Sequence, residues 1–249
     1  MTEYLLLAVA AFLAGMLNTV AGGGTFLTFP ALVYTGVPLV AATATSAVAV
    51  FPGYLGGAAG FRREIRAFDR SRLLKATAAT ALGGLVGSLL LLVSSNEAFA
   101  AVVPFLLALA TFVFAFGDRL KNVMEKHAVG AGAAGHVGTI AVAIYGGYFN
   151  GGLGIMLLAL FSLWGMRDLN QMNGLKNGLS FIVSAISVAT FAAAGLVAWP
   201  QAVVMMAAAT LGGYLGAPVA RALPAWMVRA GVIAVGVAMS AAFFWRLVA

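Results

Sequence analysis

The chain reads Gly15-Met16-Leu17-Asn18 near its start, with Gly22-Gly23-Gly24 just behind, and Gly147-Tyr148-Phe149-Asn150, with Gly151-Gly152-Leu153-Gly154, in its second half. A short apolar run follows each stretch, at 25–36 and at 153–165. Such runs are too short to cross a bilayer alone, because a helical crossing takes about 20 residues. A glycine cluster before a short apolar run predicts a broken or re-entrant helix, which a membrane tolerates only where the backbone faces protein or a cavity.

The composition excludes most soluble proteins. Of the 249 residues, 63% are hydrophobic and 8% are charged, whereas a soluble domain is about half apolar and about a quarter charged. Because cysteine is absent, disulfides, thiolate metal sites and cysteine nucleophiles are excluded. The net charge of +7 comes from basic residues grouped in few places, which indicates membrane orientation and no nucleic-acid partner. The start of the chain lacks the basic region of a cleaved signal.

Apolar stretches of membrane-spanning length recur along the whole chain. They predict an all-α polytopic membrane protein with about eight long transmembrane helices and two short broken or re-entrant ones. The long stretches lie at 4–21, 39–61, 72–93, 97–117, 129–149, 170–194, 200–220 and 225–247.

The two halves of the chain match at more than one place. Residues 82–87 read LGGLVG and residues 211–216 read LGGYLG, at nearly the same separation as the two glycine-rich stretches. Between them, Ala42-Thr43-Ala44-Thr45-Ser46 falls opposite Asn173-Gly174-Leu175-Lys176-Asn177. This pattern predicts an internal duplication in one transmembrane domain, covering 1–249. Repeat one is assigned to 1–117, a polar linker to 118–128 and repeat two to 129–249.

The basic residues decide between two topologies. Lysine and arginine crowd the loop at 62–75 and recur in the linker, so both segments are expected on the cytoplasmic side. If each short run completes a crossing, each repeat crosses the membrane five times and the two repeats are inverted. In that topology twelve of the fourteen basic residues lie on the cytoplasmic side. If the short runs are re-entrant, each repeat crosses four times and the repeats are parallel. The charge rule favours inverted repeats.

The order of these motifs resembles the TauE/SafE sulfite exporter family. In this chain, Gly15-x-x-Asn18 with the glycine break, Pro30, and Ala42 with Thr45-Ser46 are similar to the first repeat of that family. The stretches around Asn150 and at Asn173–Asn177 are similar to its second repeat. The resemblance covers nearly the whole chain. It implies a multi-pass transporter of the bacterial inner (plasma) membrane, an exporter of sulfite, organosulfonates or another small sulfur-containing anion.

The residues themselves also favour an anion site. A helix that begins inside the membrane exposes N–H groups and the positive end of its dipole, and glycine lets the backbone approach an oxyanion closely. Hydroxyl and amide side chains near the breaks add donors. The candidate substrate-binding residues are Asn18, Gly22, Gly23, Gly24, Thr25, Thr45, Ser46, Asn150, Gly152, Gly154, Asn173, Lys176 and Asn177.

Each candidate has a structural alternative. Inserting a lysine at mid-membrane costs roughly 2.5–3.5 kcal/mol, so Lys176 is expected to face a cavity or a partner. The alternative is that its side chain extends to the membrane interface near Arg167 and Asp168. The asparagines bind substrate or bond across helices, and the hydroxyls bind substrate or bond to their own backbone. His136 is the candidate proton relay or a helix-packing donor.

The leading hypothesis is a transporter that works by alternating access between the repeats. An anion channel, or a transporter of another small anion, is the alternative. An intramembrane enzyme is less favoured, because cysteine is absent and every carboxylate lies at a terminus, at the end of a span or in a predicted loop. No catalytic residue, metal or cofactor is predicted, and the bilayer is the expected surrounding. Glycine-rich faces such as Gly83-Gly84 serve packing within the chain or in a homo-oligomer.

Overall fold

The computed structural model describes residues 2–20, 23–126, 133–222 and 225–248, and within these ranges the chain is helical with no strand. Four helices there are long and apolar enough to cross a membrane: α3, α5, the Asn96–Val113 part of α6, and α9. The predicted all-α fold is confirmed, while the count of eight long spans is not. In chain order the helices are α1 (Thr2–Val20), α2 (Thr25–Tyr34), α3 (Leu39–Gly60), α4 (Arg62–Arg66), α5 (Arg70–Val93), α6 (Asn96–Lys126), α7 (Ala133–Tyr148), α8 (Leu153–Leu163), α9 (Leu169–Ala193), α10 (Trp199–Ala222) and α11 (Ala225–Val248).

The two short apolar runs form separate short helices, α2 and α8, each beginning directly after its glycine-rich break. At the second break Asn150 and Gly152 have φ values of 62° and 75°, a left-handed conformation that glycine adopts without strain and asparagine tolerates better than most residues. The segment predicted as a linker, 118–128, differs from that prediction because α6 continues through it as a helix up to Lys126.

Contacts between helices occur in matched pairs. The first, third and fifth helices correspond to α7, α9 and α10 of the second half. α1 packs on α10, and in the same way α7 packs on α5. α3 also packs on α10, and in the same way α9 packs on α5. Two further pairs, α3 with α9 and α6 with α11, join equivalent helices of the two halves. Most contacts of a helix in one half thus have a counterpart in the other half, whereas those of α4 with α9 and of α3 with α6 have none of comparable extent among the described residues.

Glycine permits the closest of these contacts. A Cβ added at Gly15 would overlap the carbonyl oxygen of Ala209, and one added at Gly87 would overlap that of Ile144. Gly83 likewise lies against Ile140 and Ala143 of α7. At these positions the glycine-rich faces therefore pack within the chain, which is one of the two alternatives that the sequence left open.

Helix directions follow from contacts at the two ends of each pair. Gly57, near the end of α3, lies against Asn177 near the start of α9. At the opposite end the Thr45 hydroxyl accepts a hydrogen bond from the N–H of Ala198, just beyond α9, at 3.0 Å. The rings of Phe51 and Phe181 stack between these points, 5.3 Å apart. α3 and α9 are therefore antiparallel.

Aromatic rings bring the two glycine breaks together in the core. Phe29 in α2 lies 5.6 Å from Phe149, which directly precedes the second break. The same ring contacts Phe99 of α6 at 6.5 Å and Phe243 of α11 at 6.1 Å. The described residues of the two breaks, Gly23 and Gly24 in the first and Gly151 and Gly152 in the second, are buried, as irregular backbone in a membrane requires.

Candidate functional site

A cavity of about 380 Å³ lies between α1, α3, α9 and α10. Its lining includes Asn18 from the first repeat and Asn177 from the second, together with Tyr54, Gly57 and Thr210. Phe61, which separates α3 from the arginine-containing α4, also lines it. The cavity therefore lies toward the end of α3 that carries the basic loop.

One wall of this cavity is open because of glycine. Gly53 and Gly56 face it, and a Cβ added at either would have no neighbour within 4 Å. Gly57 differs, since its added Cβ would lie 2.7 Å from the Cγ atom of Asn177. The α3 wall thus leaves room for a small molecule and brings the Asn177 amide directly against the backbone.

Asn18 closes the first glycine break. Its Oδ1 atom accepts a hydrogen bond from the backbone N–H of Gly24 at 2.7 Å. The carbonyl of Gly24 in turn accepts from the N–H groups of Leu27 and Thr28 as α2 begins. With Oδ1 engaged, the Asn18 amide N–H₂ is the donor that this side chain can offer to a ligand in the cavity.

Lys176 lies inside the protein. Its side chain is 5% exposed, although Arg167 and Asp168, before α9, are exposed. Within the described ranges it makes no hydrogen bond or ion pair. Lys176 does not line the cavity, although its neighbour Asn177 does. A buried cation near this site adds positive potential that attracts an anion.

Thr45 and Ser46 are fully buried and lie outside the cavity lining. Thr45 bonds to Ala198, and the Ser46 hydroxyl lies 2.6 Å from that of Thr28 in α2. In this conformation both hydroxyls join helices, so their contact with substrate stays a prediction. Thr25 is buried beside the Asn18-bonded Gly24, Gly23 caps the same turn through its carbonyl, and Gly22 lies outside the described residues.

The second break lies away from the cavity. Asn150 is 5% exposed, and its Oδ1 atom has no hydrogen-bond partner in the described part of the chain. Gly152 packs against Ala110 of α6, with an added Cβ 3.2 Å from the alanine Cβ. Gly154 is buried in the first turn of α8, and Asn173 is half-buried outside the lining. Their roles as ligands stay predictions.

His136 lines a second, smaller cavity of about 240 Å³, beside Arg72, Trp164 and Gln171 near the basic loop. Its Nδ1 atom is buried without a hydrogen-bond partner among the described residues. The histidine is therefore separate from the cavity of Asn18 and Asn177, and its function as a proton relay stays a prediction.

The residues of the α3 wall are not among the candidates predicted from the sequence. Tyr54, Gly53, Gly56 and Gly57 line the cavity, as does Thr210 of α10. A signal was present, because glycines at 53, 56, 57 and 60 recur at helical spacing and fall on one side of α3.

The apolar helices and the cavity between them, which two asparagine side chains line, are typical of one class of protein, the multi-pass membrane transporters. The family profile described as "Sulfite exporter TauE/SafE" matches residues 7–243. The chain belongs to this family, and it is a transporter embedded in a lipid bilayer.

Curated relatives carry the same general description. The chain is 29% identical to a "Probable membrane transporter protein" of Haemophilus influenzae, over 92% of this chain and 90% of the relative. It is 25% identical to "Probable membrane transporter protein ORF9" of Sinorhizobium sp., over 94% and 89%. It is also 25% identical to "Probable membrane transporter protein YfcA" of Escherichia coli K12, over 97% and 90%. No solved structure matches the chain.

Proposed function

We propose that the chain transports sulfite, organosulfonates or related small sulfur-containing anions by alternating access, as an exporter in the bacterial inner membrane. The observation that carries the proposal is the cavity in which one asparagine from each repeat, Asn18 and Asn177, lines the same space. Its volume of about 380 Å³ is at the small end of the range for ligand pockets, which suits a small anion.

The chemistry of the lining favours an anion. Amide N–H groups can donate from two sides and Tyr54 adds a hydroxyl, whereas the Thr210 hydroxyl donates to the backbone carbonyl of Met206 at 2.7 Å. None of the described lining residues is a carboxylate, and Lys176 supplies a buried positive charge close by. A sulfite or sulfonate group needs several donors and no competing negative charge, which this set of residues provides.

We infer that the repeats are inverted. Equivalent helices α3 and α9 pack against each other in antiparallel directions, and so do α6 and α11, where Phe105 lies against Phe244 and Thr111 against Gly236. A two-fold axis relating antiparallel helices is perpendicular to them and therefore lies in the membrane plane. Inverted repeats with discontinuous helices are the architecture in which two half-sites alternate in access.

The orientation of the cavity supports export as the direction of transport. The cavity lies at the end of α3 next to the basic α4, which the positive-inside rule assigns to the cytoplasm. An anion entering there is driven outward by a membrane potential that is negative inside, with about 2.3 kcal/mol per charge at 100 mV. Export of a monovalent anion therefore needs no further coupling.

Flux into liposomes tests the proposal. Purified protein is reconstituted, and uptake of sulfite, a short alkyl sulfonate and sulfate is compared with uptake of chloride and with protein-free liposomes. We expect saturable movement of a sulfur anion that the other substrates inhibit. Absence of flux for all three sulfur anions would reject this substrate class.

The same preparation separates the alternatives. A channel would conduct a current that rises without saturation and would show unitary steps in bilayer recordings. A carrier would instead show saturating flux and no unitary steps.

A further inference from the structure

Several buried polar groups lack hydrogen-bond partners in the described part of the chain. Ser184 and Ser187 of α9 are 1% and 2% exposed, and Thr80 of α5 is fully buried. Their hydroxyl oxygens, like Oδ1 of Asn150, have no hydrogen-bond partner in the part of the chain that is described. Buried polar groups are nearly always paired, so a cluster of exceptions needs an explanation.

Other hydroxyls in the same helices are paired. Thr190 of α9 donates to the carbonyl of Ile186 one turn earlier, and Ser88 of α5 donates to that of Leu85. Ser162 of α8, also fully buried, donates to the carbonyl of Leu158 at 3.0 Å. Backbone bonding of this kind is the ordinary solution for a helical hydroxyl in a membrane. The unpartnered set is therefore a property of particular positions and not of serine and threonine in general.

Those positions are the repeat equivalents of the open cavity. The alignment of Ala42–Ser46 with 173–177 continues without a gap, so that Gly53 corresponds to Ser184 and Gly56 to Ser187. Both glycines line the cavity and face open space.

The other two members of the set correspond in the same way. Asn150 corresponds to Asn18 through the matched Gly-x-x-Asn motifs, and Thr80 corresponds to Ala209 through the matched LGG segments. Asn18 and Ala209 both line the cavity. Of the nine unpartnered groups in the described part of the chain, these four thus fall on lining positions of the other repeat, whereas Ser180 of α9 corresponds to Ala49, which lies outside the lining.

We propose that Thr80, Asn150, Ser184 and Ser187 form the second half of the substrate path, closed in this conformation and opened toward the opposite membrane face when the first half closes. This inference rests on the alternating access proposed above. Ser184 and Ser187 lie in the half of α9 away from Asn177, toward Ala193, which is the half that leads away from α4. In the open state water or the anion supplies the partners that these groups lack here.

The absence of cysteine from the chain allows a direct test with single-cysteine variants. Ser184→Cys and Ser187→Cys are treated with a membrane-impermeant thiol reagent in right-side-out and in inside-out vesicles. Ser162→Cys is the matched control, because it is equally buried but its hydroxyl is bonded to the backbone. Gly53→Cys marks the open cavity, where an added Cβ meets no neighbour within 4 Å.

We expect Gly53→Cys to react from the side of α4. Ser184→Cys and Ser187→Cys should react from the opposite side, at least about tenfold faster than Ser162→Cys, since buried structural thiols are inert. Serine and cysteine are similar in size, so the variants should insert; Thr80→Cys provides a further position.

Reaction of Ser184→Cys and Ser187→Cys no faster than Ser162→Cys, or only from the side of α4, would overturn the inference. Anion flux is measured in the same vesicles. Flux without labelling rejects this second half-path and leaves the proposed function standing, whereas labelling without flux of any sulfur anion supports the path and rejects the substrate class.

Discussion

The Oδ1 atom of Asn18 accepts a hydrogen bond from the backbone N–H of Gly24 at 2.7 Å, and so joins the end of α1 to the start of α2 across the first glycine break. The same side chain lines the cavity. One asparagine therefore has a structural task through its oxygen and a proposed binding task through its nitrogen, and the two tasks are separable by substitution.

Asn18→Asp should retain the fold and lose transport. Aspartate keeps the oxygen that accepts from Gly24 but replaces the amide donor with a negative charge that repels an anion. We expect a melting temperature near that of the wild type and a flux reduced by about tenfold or more, which corresponds to about 1.4 kcal/mol of lost stabilisation. Asn18→Ala removes both functions and should lower both quantities. Asn170→Asp, at the exposed start of α9, is the control; equal flux in Asn18→Asp and the wild type would contradict the binding role.

Gly57→Ala should impair transport by displacing Asn177. The added methyl would lie 2.7 Å from the Cγ atom of Asn177, so the amide must leave its position in the cavity. We expect a higher apparent KM for the transported anion, by about tenfold if the displaced amide contributes about 1.4 kcal/mol to binding. Gly231→Ala in α11 is the matched control because its methyl has no neighbour within 4 Å. An unchanged KM in Gly57→Ala would argue against Asn177 as a ligand.

Gly15→Ala should separate α1 from α10. Its Cβ would overlap the carbonyl oxygen of Ala209, a backbone atom that moves only with its helix. Overpacking of this kind typically costs about 1–3 kcal/mol, and the expected readout is a lower melting temperature in detergent. Gly60→Ala, where the methyl meets no neighbour within 4 Å, should not be destabilising. Equal melting temperatures for the two variants would show that the helix contact is looser than the structure indicates.

Lys176→Met should raise stability while it lowers transport. The lysine is 5% exposed and has no ion-pair partner in the described residues, and an unpaired buried charge is costly. Methionine has a similar length and no charge. We expect a higher melting temperature together with an anion flux reduced by about tenfold. Lys75→Met, on the exposed part of α5, should change neither; wild-type flux in Lys176→Met would remove the lysine from the proposed site.

Much of the fold was predictable because apolar length and glycine clusters are local signals. The short runs at 25–36 and 153–165 form α2 and α8, and the matched segments of the two repeats correspond to matched helix contacts. The end of α6 was less predictable, since polar residues after Gly117 are typical of a loop and of an exposed helix end alike.

The site was only partly predictable because its geometry depends on distant contacts. Asn18 and Asn177 were identified by pattern and line one cavity. The sequence does not show that Thr45 bonds to Ala198, 153 residues away, or that Ser46 bonds to Thr28. It also does not show which side of α3 faces open space, and so the glycine wall was missed.

Anion flux under an imposed membrane potential tests the central claim most directly. Liposomes containing wild-type protein, Asn18→Asp or Asn170→Asp are loaded with sulfite or an alkyl sulfonate, and efflux is followed at fixed potentials with and without a pH gradient. We expect efflux that follows the potential, needs no pH gradient, and is lost in Asn18→Asp but not in Asn170→Asp. Efflux that is equal in all three proteins, or absent for every sulfur anion, would contradict it.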